Sequence, residues 1–97
     1  MIDKFTFAPK MNKTVYSVQA DEKVRLKLFC EKGETTVQYA LRQNDTTPFV
    51  PAFVFVDETT TIISVKFQQA GDIYINNIGE FNVTIEVYSG SSYGNAW

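Results

Sequence analysis

A chain of 97 residues has room for one packed core and not for two. A hydrophobic fraction of 44% and a charged fraction of 21% are ordinary globular values and exclude disorder as a description of the whole. A net charge of −2, a single cysteine and no histidine exclude an internal disulfide and imidazole chemistry, and they make neither nucleic acid nor an anionic membrane the default partner.

Aromatic residues reach 14%, beside many Val, Ile and Thr, the types that pack well on a pleated surface. Residues 4–8 alternate briefly and stop at Pro9, as an edge strand and its turn do. Residues 14–19 set Val15, Ser17 and Gln19 against Tyr16 and Val18. Over 23–31 the alternation is clearer: Val24, Leu26, Leu28 and Cys30 share one face and Lys23, Arg25 and Lys27 the other, with Phe29 interrupting the polar side. Gly33 sits in a turn over 31–34, and 35–42 opposes Val37, Tyr39 and Leu41 to Thr36, Gln38 and Arg42. These two strands are predicted to pair as a hairpin.

A polar loop over 43–48 leads into 49–56, which is nearly all apolar. Phe49, Phe53 and Phe55 fall on one side, Val50, Ala52, Val54 and Val56 on the other. Pro51 cannot donate a ladder hydrogen bond, which predicts an edge position or a bulge. Apolarity on both faces means either burial on both sides or an exposed patch. After a turn at Asp57 and Glu58, residues 59–68 direct Thr61, Ile63, Val65 and Phe67 inward. A corner at 69–72 leads to Ile73 and Ile75, and 76–79 is predicted as a hairpin tip because Asn and Gly tolerate left-handed backbone. Residues 81–88 complete the pattern, with Phe81, Val83, Ile85 and Val87 inward and Asn82, Thr84, Glu86 and Tyr88 outward.

Seven to eight short strands at intervals of about 8–12 residues predict an all-β antiparallel sandwich over residues 1–88, followed by a flexible tail over 89–97. The run from Thr59 through Gln69, Ala70, Gly71, Asp72, Ile73 and Tyr74 to the final strand resembles the last three strands of immunoglobulin-like domains. The paired cysteines and the third-strand tryptophan of that pattern are absent. An immunoglobulin-like sandwich is therefore the expectation, with a jelly roll or a small barrel as the alternative.

No nucleophile and base are spaced to act together, so no catalytic residue and no cofactor are expected. Asp57 with Glu58, and Asn44 with Asp45 and Thr46, fall short of the roughly six to eight oxygen ligands of a calcium site and read as turns. Lys23, Arg25 and Lys27 form a basic stripe, read as a solvated strand face that also discourages edge pairing. Cys30 continues an apolar face and reads as a small buried hydrophobe. Three Asn-x-Thr triplets, at Asn12, Asn44 and Asn82, read as coincidence in an Asn- and Thr-rich chain. The N-terminal residues lack a secretory signal pattern, and no apolar run is long enough to span a bilayer.

The tail ends in Tyr93 and Trp97, residue types favoured as interface anchors. Together with Phe49, Val50, Phe53 and Phe55 they are the predicted interface residues. A cysteine-poor, Thr- and Asn-rich β chain with such a tail resembles the small accessory proteins of bacteriophage virions, the capsid decoration and tail-associated proteins. That resemblance implies a non-enzymatic module, made in a host cytoplasm, that docks on protein subunits of a larger assembly or on copies of itself. A carbohydrate-binding module is the alternative, with Tyr16, Tyr74, Tyr88 or Trp97 stacking on sugar rings. Nucleic acid through the basic stripe is the weakest of the three.

Overall fold

The computed structural model describes residues 2–42, 52–66 and 70–89. The described residues form eight strands: β1 (Asp3–Phe7), β2 (Asn12–Val18), β3 (Lys23–Phe29), β4 (Thr35–Arg42), β5 (Ala52–Val56), β6 (Thr61–Lys66), β7 (Gly71–Asn77) and β8 (Val83–Ser89). They form two four-stranded antiparallel sheets, ordered β1-β8-β3-β6 and β2-β7-β4-β5. The all-β sandwich expected from the alternation is what forms.

The strand order decides among the expected architectures. β1 lies beside β8, β2 beside β7, β3 beside β6 and β4 beside β5, as if one long antiparallel ribbon had been folded across itself. This is the winding of a jelly roll, and it replaces the immunoglobulin-like order, in which hairpin neighbours share a sheet. Among the described strands only β4 and β5 are both consecutive and paired. Neither of the two predicted hairpins forms. β3 pairs with β6 and β8, whereas β4 pairs with β5 and β7, so the turn at 31–34 carries the chain from one sheet to the other. β7 and β8 are likewise separated between sheets. Turn residues report that the chain reverses. They do not say whether the returning strand bonds to its predecessor or packs its apolar face across it.

The core lies between the sheets. Val24, Leu26 and Leu28 of β3 and Val83, Ile85 and Val87 of β8 face Val37 of β4 and Ile73 and Ile75 of β7, with Phe7, Cys30 and Val56 in the same cluster. Each such side chain contributes roughly 1.5–3 kcal/mol when fully buried. Phe5 and Phe7 meet edge to face with centroids 6.2 Å apart, and the Lys13 ammonium lies 4.2 Å from the Phe5 centroid.

Three local features depart from strict alternation. A bulge between Thr14 and Tyr16 adds a residue to β2, so Val15 and Val18 are both buried although three positions apart. Phe81, expected inward, precedes the start of β8 and is 40% exposed. Its ring covers Gly33, whose φ of 82° and lack of a side chain are both required, since a Cβ there would lie 2.6 Å from the ring. Asn76 and Asn77, expected in a hairpin tip, instead complete β7.

Asn77 is fully buried, and its side chain uses its whole hydrogen-bonding capacity. Its Nδ2 donates to the carbonyls of Phe7 (3.0 Å) and Phe81 (2.8 Å), and its Oδ1 accepts from Thr35 Oγ1 (2.6 Å) and the Gly79 amide (3.2 Å). One amide thereby ties β1, β4 and the β7–β8 connection together. Gly79 fits beside it only as glycine, because an added Cβ would fall 1.9 Å from Thr35 Oγ1.

Candidate docking surface

β5 is an edge strand, as Pro51 predicted, and among the described residues it pairs with β4 alone. Its alternation splits it cleanly. Val56 is fully buried and Val54 packs partly against the core, so Phe53 and Phe55 must point away from it. They are 61% and 56% exposed, the highest values among the large hydrophobics described. Ala52–Val56 carries no charge, and a sheet edge without charge or proline is open to pairing.

The register continues this apolar corner into a polar row. Phe55 lies opposite Thr36 and Phe53 opposite Gln38. Exposed Ile78 adjoins Thr36, to whose carbonyl its amide donates at 3.0 Å. Gln38 accepts from Asn76 Nδ2 at 3.2 Å, Asn76 lies opposite Asn12, and Asn12 accepts from the Tyr74 hydroxyl. The outer face of this sheet thus grades from two phenylalanine rings to an amide ladder. A shallow cleft of about 400 Å³ lies beyond it, lined by Thr14, Arg42, Asp72 and Tyr74. Asp72 in that cleft already accepts from Ser17 Oγ at 2.7 Å.

Of the predicted interface residues, Phe53 and Phe55 share one exposed face, while Phe49, Val50, Tyr93 and Trp97 lie outside the described residues. Ser89, with which the tail was expected to begin, instead closes β8, opposite Val24 and buried. The remaining tyrosines have structural partners. Tyr88 donates to Glu86 Oε1 at 2.8 Å and carries the Lys27 ammonium 5.0 Å from its ring centroid. Tyr16 is partly buried and donates to Glu22, and burial above all, then Glu22, pushes its hydroxyl up to about 12.

The other candidate residues serve the fold. Burial pushes the Cys30 thiol up, helped by Asp57, Glu58 and Glu34, and its sulfur donates to the Val56 carbonyl at 3.6 Å. A buried thiol held protonated is a poor nucleophile. Asp57 accepts from the Thr59 amide (2.8 Å), which is turn chemistry, and Glu58 accepts from the Gly33 amide (3.0 Å) of the β3–β4 connection. The sequence singled out Phe53 and Phe55 through two-sided apolarity. It gave no sign of Ile78, which reaches the patch only because β7 lies beside β4. No protein-family model matches the chain, and no curated protein matches it.

Proposed function

We propose that this protein is a non-enzymatic interaction module that docks on a larger protein assembly, as an accessory subunit of a virion. The observation that carries the reading is the pair of exposed rings on an uncharged edge strand, Phe53 and Phe55. Exposed aromatic rings without a folding role suit an interface, where such residues supply most of the binding energy. The jelly roll adds support at the level of analogy, because viral capsid domains use the same winding. In this reading Phe49, Val50, Tyr93 and Trp97, outside the described residues, are further candidate contacts with a neighbouring subunit.

The test is sedimentation of the full chain, alone and mixed with the products of neighbouring genes, beside Phe53→Ser/Phe55→Ser and a chain lacking residues 90–97. Association with those products should fall tenfold or more in the double variant and on truncation, with folding retained. Association unchanged in both would overturn the reading.

A second reading, carbohydrate binding, draws on the cleft of Thr14, Arg42, Asp72 and Tyr74 and the neighbouring amide ladder. Lectins also use this winding, and an aromatic ring beside polar groups suits a sugar.

A further inference from the structure

The outer face of the β1-β8-β3-β6 sheet gathers charge of one sign. Lys23, Arg25 and Lys27 alternate with the buried Val24, Leu26 and Leu28 on β3. Lys4 joins them from β1, on the face opposite Phe5 and Phe7, and Lys66 joins from β6. Five of the chain's nine cationic residues thus share one sheet face with, among the described residues, a single carboxylate, Glu86, in a protein whose net charge is −2.

Folding explains part of this arrangement, because Glu86 lies opposite both Lys4 and Lys27, but it does not explain the pairing of Lys23 with Lys66. Lys23 and Lys66 are directly opposed in the ladder, a cross-strand pairing of like charges that destabilises a sheet. Protection against edge pairing does not explain it either, because β3 is an interior strand, flanked by β8 and β6. The local cost at Lys23 and Lys66 is the mark of a surface kept for a partner.

The partner must be anionic, and an anionic surface occurs on the same molecule. The β3–β4, β5–β6 and β7–β8 connections meet at one end of the sandwich. Gly33 bonds to Glu58 there, the Cys30 amide bonds to the Asp57 carbonyl at 2.8 Å, and the Phe81 ring covers Gly33. These connections carry Glu31, Glu34, Asp57, Glu58 and Glu80 against Lys32. Single-stranded nucleic acid is less well matched. Phe29 is half-buried, and Tyr88 is engaged with Glu86 and Lys27, so the face offers no open stacking platform.

We propose that the outer face of the β1-β8-β3-β6 sheet docks the acidic end of a second copy of this chain. The contact is head to tail and separate from the β5 edge, so it builds rings or filaments and not a twofold dimer. It rests on charge complementarity and does not depend on Phe53 or Phe55.

Sedimentation of the full chain tests it. Association should weaken tenfold or more between about 0.01 M and about 0.15 M salt, as the screening length falls from about 30 Å to about 8 Å. Lys23→Glu should weaken association while raising the thermal midpoint, since it turns the Lys23–Lys66 repulsion into an attraction. A reversed face, Lys23→Glu with Lys27→Glu, and a reversed end, Glu31→Lys with Glu34→Lys and Glu80→Lys, should each abolish self-association. Mixing the two should restore it. Salt-dependent association should survive Phe53→Ser/Phe55→Ser, which keeps this proposal distinct from the edge-strand one. Association indifferent to salt and to both reversals would overturn it. So would binding of single-stranded DNA, lost on face reversal, in a chain that does not self-associate.

Discussion

Asn77 illustrates how much one buried polar residue can organise. Its amide takes two carbonyls and supplies an acceptor to a hydroxyl and a backbone amide, so truncation would strand four partners in or near the core. Each buried group left unsatisfied costs about 1–3 kcal/mol. Asn77→Ala should therefore lower the free energy of unfolding by about 3 kcal/mol or more, read from urea denaturation. Asn77→Asp should do no better, because a carboxylate cannot donate to Phe7 and Phe81. Tyr16 makes a different prediction. Its folded-state pKa, about 12, lies above the ordinary value of 10.0, so the folded protein holds the proton that the unfolded chain releases first. The stability contributed is complete below pH 10 and is lost as pH rises toward about 12. Denaturation midpoints measured across that window should fall for the wild type, and by less for Tyr16→Phe. That variant starts lower at neutral pH by about 1 kcal/mol, for the lost bond to Glu22.

At the scale of the strand, alternation exposed most of what mattered. β3 and β8 show their inward residues plainly, because an interior strand packed on one face keeps a period of two, although Thr84, expected outward on β8, is buried as well. Where a strand departs from that period the sequence misleads. The extra residue at Val15 shifts the inward set of β2, and no residue type announces such a bulge. Phe81 misleads for the opposite reason. Its parity fits β8, but the strand has not yet begun, and the ring is spent on covering Gly33. β5 combines both lessons. Val54 and Val56 behave as core, and Phe53 and Phe55 fit the same strand while contributing little to its burial. Their replacement by serine should accordingly leave the unfolding midpoint nearly unchanged, which is what makes the pair a clean probe of docking.

At the scale of the molecule, the winding determines which distant residues become neighbours. β1 and β8 bring Asp3 opposite Val87, and among the described strands six of the seven consecutive pairs are not sheet neighbours. The same winding places Lys4 and Lys66 beside the stripe on β3 and collects three acidic connections at one end. The expected solvated stripe thus becomes part of a larger face, and the predicted salt dependence of association belongs to that face and not to any one strand. The chain by itself determined its class, its strand positions and most inward residues, because these follow from composition and from a period of two that each strand carries alone. Only the tertiary structure decided the jelly-roll order, the role of Asn77 and the union of cations from three strands. Pairing between residues dozens of positions apart depends on which apolar faces meet, and no local pattern records that choice.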